Sequence, residues 1–101
     1  MKIVIIALRS TDHSPEEFAP YLDAEAAGAF DYIVEGFFRE IYSIPDSKGA
    51  IIIAETESVE AARTKMAKLP LVEAGMMNLE FYPAMPYRAI KHAADHLRGK
   101  I

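Results

Sequence analysis

Alternation of apolar and polar positions divides the chain into four predicted strands. Lys2–Arg9 is β-branched and almost entirely apolar, which is typical of a strand covered on both faces. Aromatic and β-branched residues predict further strands at 37–44, 50–55 and 77–82. Residues 45–49 contain proline, aspartate, serine and glycine, so they are predicted to form the turn of a hairpin between the second and third strands.

The first long helix is predicted between strands one and two. Ser14 is followed by Pro15 and Glu17, which together supply an N-cap, a first-turn proline and the acidic partner of a capping box. Pro20 is expected to bend the helix or delay its start, because it cannot donate a backbone hydrogen bond. Gly36 suits the left-handed residue that ends a helix, so the helix is predicted to run to about residue 35.

The second long helix is predicted between strands three and four. Thr56 or Ser58 can cap it, and its apolar side chains recur at helical spacing at Val59, Ala62, Met66 and Leu69. It is predicted to stop near residue 69 because Pro70 disfavours helical geometry in the residue before it. One more short turn is predicted at 71–74, closed by Gly75.

A polar helix at about 87–98 completes the predicted order, which is βαββαβ plus a C-terminal helix. That order predicts an α+β, ferredoxin-like domain with a four-stranded antiparallel sheet and both long helices on one face. We assign residues 1–87 to this domain and residues 88–101 to a C-terminal helix or tail.

The central strands are apolar on both faces, which predicts a partner. Strand one alternates Ile3 and Ile5 with Val4 and Ile6, and strand three behaves in the same way. Two helices cover one face only, and 51% of the 101 residues are hydrophobic, which is more than a small monomer easily hides. We therefore predict a homodimer paired sheet to sheet, with higher oligomers left open.

Charge and composition exclude several classes of partner and site. The net charge of −4 and the absence of a basic stripe argue against binding to nucleic acid or to an anionic membrane. No cysteine is present, which excludes disulfides and thiol chemistry. The longest apolar run, residues 3–8, is too short to span a bilayer and does not resemble a signal peptide, so a cytoplasmic protein is expected.

Glu25 is the first candidate for chemistry. It falls within the inner apolar stripe of the first helix, which reads Phe18, Leu22, Glu25, Ala29 and Tyr32. A carboxylate that faces the sheet would be desolvated, which raises its pKa and suits a general acid or base. The alternative interpretation is structural: water beside the small Ala26 and Ala29, or a basic partner, satisfies the carboxylate.

Arg39 is the second catalytic candidate, because a guanidinium among the aromatic residues of a strand usually meets a planar anion. That anion is Glu25, a ligand carboxylate, or simply Glu40 or Glu80 on an edge strand. Phe38, Tyr42 and Tyr82 are candidate ligand contacts, although buried tyrosines at strand ends more often satisfy a backbone group.

The three histidines are further candidates for chemistry. His13, in the loop after strand one, can move a proton near neutral pH at the mouth of a cleft, or it is a solvated loop residue. His92 and His96 lie four residues apart on one face of the last helix, but no third ligand is evident. We predict no metal and no cofactor.

Three segments resemble the muconolactone isomerase-like group of the dimeric α/β-barrel superfamily: Glu-Gly-Phe-Phe-Arg at 35–39, Ser-Val-Glu-Ala at 58–61 and Leu-Pro-Leu at 69–71. The longer string at 69–75, with Tyr-Pro at 82–83 and Met-Pro-Tyr at 85–87, is also similar to the YCII-related proteins of that superfamily. The resemblance covers about residues 2–87.

The resemblance implies a ferredoxin-like subunit, dimers paired sheet to sheet, and a ligand cleft between sheet and helices. It matches Glu25 to a glutamate of the isomerase pattern and Arg39 to the arginine after its Glu-Gly. Ala26 stands where the isomerase has a lysine, and Phe38 and Tyr42 stand in a strand that carries tryptophan there. These departures argue against muconolactone itself as the substrate.

Three functions follow from these residues and the resemblance. In the first, Arg39 holds the carboxylate or enolate of a lactone or aromatic-derived acid, and Glu25 shuttles a proton as an isomerase or lyase requires. In the second, the protein is a non-catalytic dimeric module that binds a small ligand or another protein. The third is a cofactor-free monooxygenase.

Overall fold

One antiparallel sheet organises the computed structural model, which describes residues 1–99. Its strands follow the order β2-β3-β1-β4. They are β1 (Lys2–Arg9), β2 (Phe38–Ile44), β3 (Gly49–Glu55) and β4 (Met77–Ala84). The predicted ferredoxin-like order is confirmed, since β3 lies between the parallel strands β1 and β2.

Five α-helices accompany the sheet in the described part of the chain. They are α1 (Pro15–Phe18), α2 (Leu22–Glu35), α3 (Val59–Met66), α4 (Pro70–Glu73) and α5 (Arg88–Leu97). A 3₁₀ turn at Ala19–Tyr21 joins α1 to α2, and it contains Pro20, which accounts for the predicted bend. The division into a domain at 1–87 and a tail at 88–101 stays a prediction, and residues 100–101 of that tail lie outside the described residues.

Local chemistry determines where the helices begin and end. Ser14 and Glu17 form the predicted capping box, and the Glu17 pKa is lowered chiefly because its carboxylate accepts the Ser14 backbone N–H. Ser58, and not Thr56, caps α3 by accepting the N–H of residue 61 at 3.0 Å. Gly36 has a φ of +88°, as expected for a left-handed helix end.

Two element ends differ from the prediction by two residues or more, each for a local reason. Helix α3 ends at Met66, because Leu69 takes the extended conformation that precedes a proline and becomes the N-cap of α4. Strand β4 continues through Pro83 to Ala84. An edge strand tolerates a proline whose missing N–H would face away from the sheet.

The core lies between the sheet and α2 to α4. Alternate residues of β1 and β3 point into it, and the largest fully buried side chains are Phe38, Ile3, Ile5 and Met66. The tyrosine of α2, Tyr32, packs edge-on against Phe37 and Phe38 and donates its hydroxyl to the Lys65 carbonyl of α3. These contacts hold α2 beside α3 and above β2.

The other face of the sheet carries no helix in residues 1–99. Its central residues are apolar: Val4, Ile6, Leu8, Ile51 and Ile53. We call this surface the open face. Tyr42 and Tyr82 border it on the two edge strands, and each donates its hydroxyl to a glutamate two residues earlier in the same strand, Glu40 or Glu80. These bonds raise the pKa of both tyrosines.

Candidate active site

A cleft of about 470 Å³ lies between α2, α4 and the sheet. Its walls are mostly apolar, and five lining residues carry polar or charged side chains: Arg9, Glu25, Ser43, Asp46 and Ser47. A concave, largely apolar pocket with a few polar groups is the usual form of a small-molecule site. We treat this cleft as the candidate active site.

Glu25 lies in the wall of the cleft on α2. Its Oε1 accepts the backbone N–H of Leu71 at 2.9 Å, across 46 residues of sequence. Partial burial raises the pKa of the carboxyl, and the hydrogen bond from Leu71 opposes that rise. Within residues 1–99, Leu71 is the only residue that donates a hydrogen bond to this carboxylate.

The position of this carboxylate follows from the start of α4. Leu69, the N-cap of α4, has no side chain that can cap the helix, so the N–H of Leu71 needs an acceptor from elsewhere. Gly28 lets α2 approach closely, since a Cβ there would lie 2.8 Å from Leu69 Cδ2. This close approach of α2 to Leu69 brings Glu25, one turn before Gly28 on α2, to the N-terminus of α4.

Arg9 is the cationic residue that lines the cleft. It is the last residue of β1, and its Cζ lies 4.9 Å from the centre of the Phe18 ring. The ring holds the flat guanidinium by a cation–π contact. Arg9 also lines a second cavity of about 440 Å³, together with Asp46 and Ser47, so the two cavities share one wall.

His13 lies in the second cavity and not in the cleft. Its ring meets Phe18 edge-on with 6.0 Å between ring centres, and its buried Nδ1 has no hydrogen-bond partner within residues 1–99. The Phe18 ring therefore contacts both Arg9 and His13. Lys48 lines the same cavity.

The structure brings together only some of the predicted site residues. Glu25 and Phe38 line the cleft. Arg39 is exposed outside it, where its Nε donates to the Gly36 carbonyl at 2.7 Å. Tyr42 and Tyr82 lie on the open face, as their pairing with Ile51 and Val4 shows.

A backbone irregularity explains the position of Arg39. The pairing of β2 with β3 shifts between Phe38 and Glu40, so Arg39 is the extra residue of a bulge. Sequence alternation does not reveal a bulge, and Arg39 therefore could not be assigned to a face. Arg9 was not considered as a site residue, although an arginine directly after a buried apolar strand was the available signal.

Two findings bear on metals and membranes. Within residues 1–99, no three His, Asp or Glu side chains are grouped so that they could hold a metal ion. In the same part of the chain, none of the helices has both the length and the apolar character needed to cross a bilayer.

Comparisons with known proteins give matches in structure only. No protein-family model and no curated protein sequence matches the chain. Muconolactone isomerase superposes with a TM-score of 0.70 and 20% identity, over 86% of this chain and 91% of that one. The chain has the muconolactone isomerase fold.

A second solved structure has the same fold. It is 5-chloro-2-hydroxyhydroquinone dehydrochlorinase (TftG) from Burkholderia phenoliruptrix AC1100, in complex with 2,5-dihydroxybenzoquinone. Its TM-score is 0.64 at 15% identity, over 88% of this chain and 98% of that one. At these identities the likeness to muconolactone isomerase and to the dehydrochlorinase establishes the fold alone.

Proposed function

We propose that the protein is an enzyme that binds a small ring-containing acid or lactone in the cleft and moves a proton within it, as an isomerase or a related lyase. The observation that carries this proposal is the half-buried Glu25 carboxylate, which is held at one oxygen by Leu71 N–H in an apolar cleft. A carboxylate of raised pKa in such a place is suited to both accept and return a proton.

The reaction has two steps, and the second differs between an isomerase and a lyase. The ionised Glu25 takes a proton from the carbon next to a carbonyl, and the electron pair of that C–H bond moves onto the carbonyl oxygen as an enolate. The protonated Glu25 then returns the proton to another carbon of the conjugated system, which completes an isomerisation. In the lyase variant, the enolate instead expels a leaving group from the neighbouring carbon.

Arg9 is our choice for the group that stabilises the enolate or holds a ligand carboxylate. It lines the same cleft as Glu25, and its contact with Phe18 limits its motion. A fixed cation beside a developing oxyanion lowers the barrier because little reorganisation is needed. Arg39, the arginine predicted for this role, lies outside the cleft.

The proposal includes a homodimer paired through the open face. Five apolar residues at the centre of that face need cover, and the Tyr42–Glu40 and Tyr82–Glu80 pairs supply a polar rim at its two edges. An apolar centre with a polar rim is the usual anatomy of a stable interface.

The second candidate function is a non-catalytic binding module, favoured by the hydrogen bond from Leu71. In that case Glu25 has only a structural role as the capping group of α4. Lactones, hydroxy acids and dihydroxyquinones should still bind, but no proton of the ligand should exchange.

The Glu25→Gln variant distinguishes the two functions. Glutamine keeps an oxygen that accepts the Leu71 N–H but cannot act as a base, so the fold and the ligand-induced thermal shift should persist. Proton transfer is measured by NMR as incorporation of solvent deuterium into unsaturated lactones and ring-containing hydroxy acids. We expect a loss of at least about 100-fold, the usual contribution of a general base.

Asp23→Asn, an exposed substitution on the same helix, is the control and should exchange deuterium at the wild-type rate. Equal exchange by wild type and Glu25→Gln would refute the role of Glu25. Ligand binding without exchange in wild type would favour the binding module.

A further inference from the structure

The second cavity, of about 440 Å³, lies where β1 ends and the chain turns toward α1. Residues of the tip of the hairpin between β2 and β3 complete its lining. The proposed reaction uses only one of the lining residues, Arg9, which also lines the cleft. The other residues of this cavity therefore have no role in that reaction, and their chemistry needs a separate explanation.

Two basic side chains meet at this cavity because of strand pairing. β1 and β3 pair as far as Leu8 and Gly49, and one step further the Arg9 backbone N–H donates to the Lys48 carbonyl at 2.8 Å. The side chains of both Arg9 and Lys48 line the cavity. Like charges at opposing positions of neighbouring strands are destabilising, so an anion between them would remove that cost.

The protein itself supplies no such anion in the part of the chain that is described. None of the ion pairs within residues 1–99 includes Arg9, Lys48 or His13. Asp46 is the one acidic residue of the lining, and it is exposed at the hairpin tip. Residues 1–87 as a whole contain 7 lysines and arginines against 14 aspartates and glutamates. A mainly basic cavity in so acidic a domain concentrates anions from solution.

His13 adds a hydrogen-bond donor to the same cavity. Its Nδ1 is buried and has no partner within residues 1–99. A buried N–H without an acceptor is costly, so the proton of the neutral ring belongs on Nε2. Because the His13 ring lines the cavity, Nε2–H is the donor that it offers to a ligand.

Hydroxyl groups extend this set of donors. Ser10 Oγ accepts the Asp12 backbone N–H at 3.2 Å, and that bond leaves the proton of the Ser10 hydroxyl unused. Ser10, Thr11 and Ser47 all line the cavity. Charged groups and hydroxyls that donate hydrogen bonds suit the oxygen atoms of an oxyanion.

The remaining walls are apolar, which favours an organic ligand over an inorganic ion. They are formed by Leu8, Pro15 and the buried Phe18, whose ring contacts both Arg9 and His13. The volume falls in the range of about 300–1,000 Å³ that is usual for small-molecule pockets, and a carboxylate alone would fill little of it. Apolar walls beside cationic donors fit an acid that carries an apolar body.

We propose that the second cavity is a binding site for a small organic acid, whose carboxylate is held by Arg9, Lys48 and the Nε2–H of His13 while its apolar body packs against Phe18. Arg9 can meet a carboxylate with two parallel N–H groups, and Lys48 supplies a compact charge beside it. Glu25 does not line this cavity, so the site does not depend on the proposed enzymatic function.

NMR of the full-length protein, with histidine labelled in both ring nitrogens, locates the ligand. Before any ligand is added, His13 should show the tautomer with the proton on Nε2. Phenylacetate should shift the His13 ring signals, whereas phenylacetamide, which has the same shape without the charge, should not. His92 and His96 lie on α5, outside the cavity, and are the internal controls.

Titration calorimetry with phenylacetate tests the individual residues. Lys48→Gln and His13→Phe should each raise its dissociation constant by about two- to fivefold, the usual effect of a solvent-accessible charged contact. His13→Phe keeps an aromatic ring against Phe18, so its effect reports the lost Nε2–H. Lys68→Gln makes the same change in charge as Lys48→Gln at an exposed position that lines neither cavity, and should bind as wild type does. Glu25→Gln should also bind phenylacetate in the second cavity as wild type does.

Several results would overturn the proposal. Equal His13 shifts with phenylacetate and phenylacetamide would do so, as would no shift up to the solubility limit of phenylacetate, or an affinity that Lys48→Gln leaves unchanged. Sodium phosphate is titrated in parallel. Phosphate that shifts the His13 signals at a lower concentration than phenylacetate does would overturn the organic acid in favour of an inorganic oxyanion.

Discussion

The two faces of the sheet are built from alternate residues of the same strands, yet helices cover only one of them. Ile3, Ile5 and Ala54 on the covered face are fully buried, whereas Leu8 and Ile51 on the open face are each 36% exposed. The covered face also borders the cleft with Glu25, while the open face carries its polar groups at its two edges. Equal hydrophobicity thus has two different outcomes, a buried core and an exposed apolar surface.

The largest expected effect separates the core from the surface. Ile5→Ala removes a fully buried side chain and should lower the free energy of unfolding by about 2–5 kcal/mol, because a cavity remains. Ile6→Ala, the next residue, lies on the open face and is the matched control. Urea unfolding at low protein concentration should show a smaller loss for Ile6→Ala. Equal losses would mean that both faces are covered within one chain.

A charge on the open face should affect pairing more than folding. Ile53→Lys places an ammonium group among the apolar residues of the predicted interface, so the dissociation constant of the dimer should rise by at least about tenfold. Thr64→Lys, at an exposed position of α3 outside the sheet, makes the same change in net charge and is the control. Sedimentation equilibrium measures both. A dimer that tolerates Ile53→Lys would have to use a different surface.

The smallest expected effects are the contributions of Glu25 and Glu55 to the pH dependence of stability. These two contributions should have opposite signs. Burial raises the pKa of Glu25, so its folded form binds protons more tightly than the unfolded chain does. Its contribution to stability is present below the ordinary pKa of 4.5 and is lost as the pH rises through the folded value. Relative to wild type, Glu25→Gln should therefore gain stability as the pH rises from about 4.5.

Glu55, on the open-face side of β3, behaves in the opposite way. The N-terminal amine donates to Glu55 Oε2 at 2.7 Å and holds the pKa of that carboxyl below its usual range. The contribution of Glu55 to stability is present above its ordinary pKa and is lost as the pH falls through its pKa in the folded protein. Thermal unfolding of Glu55→Gln and Glu25→Gln between pH 3 and 7 compares them. If the stability of both variants, relative to wild type, changed in the same direction as the pH rises, the environments described for Glu25 and Glu55 would be contradicted.

Most of the fold could be predicted from the sequence, whereas only part of the candidate site could. Glu25 interrupts an apolar stripe of its own helix, and that local irregularity predicted that it would be desolvated. Its carboxylate accepts the backbone N–H of Leu71, which is 46 residues away in sequence. A backbone N–H is present in almost every residue, so the sequence gives no sign of this partner. Arg39, for which Glu25 was one of several possible partners, lies outside the cleft, because a bulge in β2 changes the side on which a residue lies.

Sequence alone therefore determined what depends on near neighbours: the capping box at Ser14, the left-handed stop at Gly36, the hairpin and the two apolar rows of each strand. These features arise from steric and hydrogen-bonding preferences within a few residues. Tertiary structure alone decided which row is covered and that Arg9 shares the cleft with Glu25. Those results depend on the packing of segments distant in sequence, such as the close approach of α2 and Leu69 at Gly28.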